Sequence, residues 1–126
     1  MFNFSGTRPT NLGVKDGKLA PCPGTPNCVS SQSSNPQFTI SPLPAMAISE
    51  LRKILEQMER TTIIEATDNY LYAEFKSKLM GYVDDVEFYL DPNENVIHLR
   101  SASRLGKSDL GVNRQRIESI RSQVKQ

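Results

Sequence analysis

The spacing of hydrophobic positions changes twice along the chain, and each change predicts a different kind of element. From Ala45 to Arg60 apolar residues recur at intervals of three and four, which predicts an amphipathic helix with Pro44 at its first turn. Four later runs alternate apolar and polar residues, which predicts an antiparallel meander. These runs are Thr61 to Ala66, Tyr70 to Ser77, Val83 to Leu90 and Asn95 to Ser101. Helical spacing returns from Asn113 to Val124 and predicts a second helix.

The first third of the chain has a different composition. Seven of the eight prolines and four of the seven glycines precede Ala45, so residues 1–44 are predicted to form an extended arm. The arm carries apolar residues and both cysteines, so we expect it to pack on the rest of the domain, with Gln37 to Ile40 as an edge strand. The predicted fold is a single α+β domain over residues 1–126. It has one antiparallel sheet of about four to five strands, with two helices on one face.

Alternation assigns side chains to the two faces of the predicted sheet. The apolar face, expected to lie under the helices, carries Leu71, Ala73, Phe75, Val86, Phe88, Leu90, Ile97 and Leu99. The opposite face carries Tyr70, Tyr72, Glu74, Asp85, Glu87, Tyr89, His98 and Arg100. A face with this many charges is expected to be either solvated or part of a site.

Charge divides the chain although its net value is only +1. Residues 65–94 hold eight acidic side chains against two lysines, whereas residues 100–126 hold seven basic side chains against two acidic ones. Because segments so close in sequence can neutralise each other on folding, the basic segment is weak support for nucleic-acid binding. The structural alternative is an ion-pair network between the two segments.

Several classes of protein are disfavoured. A content of 37% hydrophobic and 23% charged residues does not fit a membrane bundle or a disordered chain. No apolar segment follows Met1, which predicts a cytoplasmic protein without a transmembrane segment. The run Gly106-Lys107-Ser108 resembles the end of a phosphate-binding loop, but position 101 is Ser where that loop needs Gly. Nothing in the sequence dictates a reaction or a cofactor.

The two cysteines and the histidine give only weak indications of a metal or catalytic site. Cys22 and Cys28 are separated by five residues, a spacing unlike common zinc sites, so no metal site is predicted. They could form a disulfide, but the expected cytoplasmic location favours two thiols. We interpret His98 as a packing residue, because no nucleophile with a matching signature can be placed beside it.

The most promising chemistry follows the last predicted strand, where two arginines and three hydroxyls lead into a helix start. Arginine forks and helix N-terminal amides together suit a carboxylate or phosphate. The candidate ligand-binding residues are Asp84, Asp85, Glu87, Arg100, Ser101, Ser103, Arg104, Asp109, Asn113 and Arg114. In this hypothesis the arginines receive a small anion and the acids orient it or bind a cation. The alternative is a non-enzymatic interaction module that docks a partner protein through the same face.

Five blocks of sequence resemble one family. They are PCP at 21–23, PNCVSSQ at 26–32, GYVDDVEF at 81–88, RSASRLG at 100–106 and SDLGVNR at 108–114. In this order they resemble domain of unknown function 1499, a family of uncharacterised bacterial and plant proteins, from Gly13 onward. The resemblance implies no activity, and it implies a photosynthetic host, a cyanobacterium or a plastid. We expect three segments to meet at one end of the polar face: the arm with its two cysteines, the acidic strand Val83 to Leu90 and the basic loop that follows the last predicted strand.

Overall fold

Two helices and six strands follow one another in a computed structural model that describes residues 5–78, 80–106 and 111–124. The strands are β1 (Cys28–Ser30), β2 (Leu43–Pro44), β3 (Thr61–Ala66), β4 (Tyr70–Lys76), β5 (Val83–Asp91) and β6 (Val96–Ser103). The helices are α1 (Ile48–Glu56), between β2 and β3, and α2 (Val112–Val124), after β6. No helix in the described part of the chain has the length and apolar character needed to cross a membrane.

The strands form one antiparallel sheet in the order β1-β6-β5-β4-β3, with β2 also paired to β6. The predicted α+β class is therefore confirmed, with a sheet slightly larger than expected because two short arm strands add to β6. The prediction of an edge strand at Gln37 to Ile40 was wrong, since that stretch contributes only a single bridge between Thr39 and Ser30. The prediction that Pro44 begins a helix was also wrong, because Pro44 pairs with Val96 and α1 begins at Ile48.

One face of the sheet, the helix-side face, packs against α1 and α2. Its buried centre is Phe88, which lies in one apolar cluster with Leu99, Leu51 of α1 and Ile120 of α2. Period-two alternation in the strands and three-to-four spacing in the helices put these residues together, as the sequence predicts. This cluster is the main core of the described chain.

The arm covers the other face, which we call the arm-side face. Leu19 and the neighbouring arm residues pack on Tyr70 and Tyr72, and the backbone N–H of Gly13 donates to the Glu87 carboxylate over 2.7 Å. The prediction that Asp85, Glu87, His98 and Arg100 share this face is confirmed by the strand register. The arm-side face is not solvated, because Asp85 and Glu87 are only 1% and 0% exposed. The arm therefore converts a polar surface into a buried polar layer.

Candidate functional site

Arg104 is the centre of an ion-pair cluster on the arm-side face. Its guanidinium forms two hydrogen bonds with the Asp85 carboxylate, of 2.8 and 2.9 Å, and a third of 2.6 Å with Glu74. The Tyr72 hydroxyl donates to Asp85 over 2.5 Å, and Arg8 of the arm pairs with Glu74 at 2.7 Å. Arg104 and Asp85 therefore form an ion pair between the basic and the acidic segments of the sequence.

The pKa values of Arg104 and Glu74 shift in the directions that paired charges require. The hydrogen bonds from Arg104 and Tyr72 compensate the charge of Asp85, and the contact with Asp85 raises the pKa of Arg104. Burial alone would raise the pKa of Glu74, but the hydrogen bonds from Arg8 and Arg104 lower it overall. Burial and the bond to Asp85 raise the pKa of Tyr72. The neighbours of Glu74 and Arg104 therefore favour the ionised forms of these two side chains.

Glu87 and Arg100 lie next to the Arg104 cluster on the same sheet face. They are cross-strand partners, but they make no ion pair within 4.0 Å. Glu87 Oε2 accepts hydrogen bonds from the Tyr70 hydroxyl and the Gly13 amide. Arg100 Nη2 donates to the Pro21 carbonyl over 3.4 Å. Among the described residues, Glu87 Oε1 and Arg100 Nε are buried without a hydrogen-bond partner. This is the least satisfied part of the polar layer, and polar atoms in such a state are costly.

Burial controls the pKa of both groups in this pair. It raises the pKa of Glu87, against the opposing hydrogen bonds from Tyr70 and Gly13. It also lowers the pKa of Arg100, although Glu87 and Asp85 attract the guanidinium. Burial therefore dominates the pKa of each side chain in this pair, whereas hydrogen bonds and charges outweigh burial at Glu74 and Arg104.

We expect the Glu87→Gln variant to be more stable than the wild type near neutral pH. The native state holds the Glu87 proton to higher pH than the unfolded chain does. The carboxyl therefore costs stability as pH rises from the ordinary pKa of glutamate through the raised one. Urea unfolding at a series of pH values from about 4 to about 8 should show the advantage of the variant growing with pH. A stability difference independent of pH would show that Glu87 keeps its ordinary pKa.

A groove of about 820 Å³ opens between the arm and the end of β1. Gly13 and Pro21, the backbone partners of Glu87 and Arg100, line it together with Ser30, the cross-strand neighbour of Arg100. We call it the arm groove. Its described lining is Asn11, Gly13, Lys15, Lys18, Leu19, Ala20, Pro21, Cys22, Pro23, Gly24, Ser30, Gln32, Ser33, Ser34, Asn35 and Phe38. This lining includes two lysines and no carboxylate.

A tight turn sets the positions of the two lysines. Lys15 and Lys18 exchange two backbone hydrogen bonds of 2.9 and 3.0 Å, and Asp16 and Gly17 between them both have positive φ. These features are typical of a two-residue hairpin turn, which sets its flanking residues directly opposite each other. Gln32 clamps the turn by donating to the Gly17 carbonyl and accepting from the Leu19 amide. Two like charges are therefore held at the rim of the arm groove.

Cys22 of the arm groove forms a disulfide with Cys28 of β1. The prediction of two free thiols was wrong: the Cα atoms lie 5.7 Å apart, within the range that a disulfide spans. The bridge fixes the arm to the strand that pairs with β6.

A second polar cluster lies on the helix-side face, at the start of α2. The Asn113 side chain accepts from the Ser101 hydroxyl over 2.6 Å and donates to Ser103 Oγ over 3.0 Å. Arg116 pairs with Asp84 at 2.7 Å and donates to Asn113 over 2.9 Å. Its guanidinium also lies 4.9 Å from the ring centre of Phe75.

These contacts overturn the expectation that the candidate residues converge at one site. Asp84 and Asp85 are consecutive in β5 and project to opposite faces, so they join different clusters. Ser101 and Ser103 likewise alternate with Arg100 and Arg104, because β6 continues through Ser103 instead of ending at Ser101.

The remaining candidates lie elsewhere. Arg114 donates to the Thr39 and Gln37 carbonyls, so it attaches the arm to α2 and joins neither cluster. Asp109 lies outside the described residues. Arg116 was missed, although it follows Asn113 by three positions and so shares its helix face. Lys15 and Lys18 were also missed, and the Asp-Gly pair between them was the signal of a tight turn.

His98 has a neighbour that sequence reasoning did not place. Its Nδ1 lies 2.9 Å from the Ser31 hydroxyl, and its Nε2 contacts the Glu94 carboxylate. Ser31 Oγ also accepts the Leu99 amide over 2.8 Å, and Ser31 does not line the arm groove. The hydroxyl is therefore engaged with the backbone of β6, and it is not positioned as a nucleophile over that groove.

Comparison with known proteins gives one match. The family model described as "Protein of unknown function (DUF1499)" matches residues 18–124. No curated protein and no solved structure matches the chain. The match begins within the arm groove and includes β1 to β6 and both helices.

Proposed function

The chain belongs to the DUF1499 family, whose description names no activity, and we propose that it binds a small anionic molecule in the arm groove. The observation that carries the proposal is the lining: two lysines with hydroxyl and amide side chains, and no carboxylate among the described lining residues. Like charges opposite each other on a hairpin destabilise it, and an anion between Lys15 and Lys18 would remove that repulsion. The ligand class is a carboxylate or phosphate compound.

Arg100 supplies the inner part of the proposed site. Its guanidinium lies behind Pro21, and its Nε has no hydrogen-bond partner among the described residues. Glu87 is the cross-strand partner of Arg100, and its Oε1 likewise has no hydrogen-bond partner among the described residues. A ligand oxygen that reached the Arg100 Nε–H would satisfy this donor. Water is the alternative partner for the buried atoms of Glu87 and Arg100. A bound water at these atoms would assign no role to Lys15 and Lys18.

The Arg104 cluster serves stability in this proposal. Each guanidinium nitrogen of Arg104 already has a partner, because Nε and Nη2 contact Asp85 and Glu74 and Nη1 donates to the Ser5 carbonyl over 3.4 Å. A partner protein cannot dock on this face unless the arm is displaced, because Asp85, Glu87 and Arg100 are buried beneath it. These observations favour the arm groove over the interaction-module hypothesis.

The disulfide bears on where the protein works. Disulfides persist in oxidising compartments and are rare in the cytosol. We infer from the Cys22–Cys28 bridge that the protein resides in an oxidising compartment instead of the cytoplasm predicted from the sequence. Thiol alkylation of protein extracted from its host without reductant should leave both cysteines unlabelled. Labelling of both cysteines would instead support the cytoplasmic location predicted from the sequence.

Thermal melts with inorganic phosphate and with succinate test the binding proposal. A ligand that binds only the native state, at about 100 times its Kd, adds about 2.7 kcal/mol to the free energy of unfolding. We expect the melting temperature of the wild type to rise by several degrees with at least one anion. The Lys15→Gln/Lys18→Gln variant should lose most of this rise, and Arg100→Met should lose it while melting near the wild-type temperature without ligand.

The matched control removes two exposed lysines outside the groove, as Lys53→Gln/Lys78→Gln. This variant should keep the full ligand-dependent rise. If the control variant loses as much of the ligand-dependent rise in melting temperature as Lys15→Gln/Lys18→Gln does, the anions act through the net charge of the protein and the groove is not a binding site. The absence of any rise in the wild type with either anion contradicts the proposed ligand class.

A further inference from the structure

We propose that Asp91, Glu94 and His98 form a binding site for a divalent metal ion at the turn between β5 and β6. One donor atom from each side chain lies within 4.8 Å of the other two. The turn is separate from the arm groove, and none of the three residues lines that groove. The inference therefore stands independently of the proposed anion site.

His98 is held in the orientation that a metal ligand needs. The side chain is 9% exposed, and its Nδ1 lies 2.9 Å from Ser31 Oγ. Ser31 is itself fixed by the Leu99 amide, which donates to the same oxygen. Metal-binding histidines usually engage their second ring nitrogen in such a hydrogen bond, which directs the first nitrogen at the ion. Here Nε2 faces the two carboxylates.

Asp91 presents one carboxylate oxygen toward His98 and uses the other to hold the turn. The residue is 8% exposed, and its Oδ1 accepts the backbone amides of Asn93 and Glu94. Its Oδ2 has no hydrogen-bond partner among the described residues and lies 3.9 Å from His98 Nε2. A cation bound between Asp91 Oδ2 and His98 Nε2 would coordinate this oxygen while Oδ1 keeps its two turn amides.

Glu94 supplies the adjustable third ligand. Its side chain is 63% exposed and contacts His98 Nε2 directly. Zinc lies about 2.0–2.2 Å from nitrogen and oxygen ligands, so neighbouring donor atoms in a tetrahedral site are about 3.3 Å apart. The exposed Glu94 carboxylate can move outward by rotation to admit the ion. One imidazole and two carboxylates suit Zn²⁺ or Mn²⁺, and the usual affinity order favours Zn²⁺.

The experiment is a calorimetric titration of the full, tag-free chain with Zn²⁺, followed by NMR of the imidazole. Because His98 is the single histidine of the chain, its ring ¹⁵N signals report binding without overlap. We expect one Zn²⁺ per chain and a shift of the Nε2 signal that saturates at one equivalent.

Three variants decide between a metal site and a simple hydrogen bond. Asp91→Asn keeps an oxygen for the turn amides but replaces the free carboxylate oxygen, and Glu94→Gln alters an exposed side chain. Each should weaken Zn²⁺ binding about tenfold or more. Glu65→Gln, an exposed carboxylate on β3, should bind like the wild type. Wild-type protein without Zn²⁺ binding, or equal losses in all three variants, would overturn the proposal and leave a histidine–glutamate hydrogen bond.

Discussion

Replacing Arg104 by Ala should lower the free energy of unfolding by about 3–5 kcal/mol. The Asp85 carboxylate that Arg104 binds is 1% exposed, so the variant leaves a buried negative charge without its cation. The Tyr72 hydroxyl would remain as a donor, but a single neutral hydrogen bond does not replace two charge-assisted ones. Urea unfolding at neutral pH measures the loss.

Two further variants distinguish the effect of breaking the buried Arg104–Asp85 pair from the effect of removing a positive charge. Arg8→Ala removes an arginine that contacts Glu74 from the exposed arm, and it should cost far less than Arg104→Ala, because an exposed ion pair contributes little to stability. Arg104→Lys keeps the charge but loses the two-pronged contact with Asp85, so we expect an intermediate loss. If Arg104→Ala costs no more than Arg8→Ala, the cluster is not the structural network described above.

Replacing Asn113 by Ala should cost about 3 kcal/mol, because it leaves several buried polar groups unsatisfied at once. The side chain is fully buried and links the Ser101 and Ser103 hydroxyls to the Asn27 carbonyl. It thereby joins β6, the arm and α2 at one point. Loss of this link should also weaken the contact between Arg116 and Asp84, which shares the cluster.

The matched control for Asn113 is Gln115→Ala, an exposed position on the same helix. Exposed substitutions of this kind change stability by about 0.5 kcal/mol or less. Comparison of the two variants by urea unfolding removes the general effect of alanine on helix α2. A loss of less than about 1 kcal/mol for Asn113→Ala would mean that water replaces the amide at this point.

Much of the sheet could be predicted because period-two alternation is a local signal. It assigned Phe88 and Leu99 to one face and Glu87 and Arg100 to the other, and the strand register agrees. The same rule, applied through Ser103, would have separated Ser101 and Ser103 from the arginines. The predicted strand ended at Ser101 and the residues after it were treated as a loop, so a site was predicted from residues that the sheet keeps apart.

The arm groove could not be predicted, because long-range contacts create it. The Gly13 amide reaches Glu87 across 74 positions of sequence, and the Arg100 guanidinium reaches Pro21 across 79. Neither contact leaves a periodic pattern, since an extended arm has none. These contacts and the packing of the arm on Tyr70 and Tyr72 together bury the polar face, so its burial could not be predicted from the alternation of residues in the strands.

The most direct test of the central claim is a map of amide chemical shifts in ¹⁵N-labelled wild-type protein titrated with inorganic phosphate or succinate. The account predicts saturable changes that cluster on the arm groove, at Gly13, Lys18, Cys22, Ser30 and Gln32. The amides of α1 and of β3 should stay unchanged. Changes centred on α2, or small unsaturable changes at exposed lysines throughout the chain, would contradict anion binding at the arm groove.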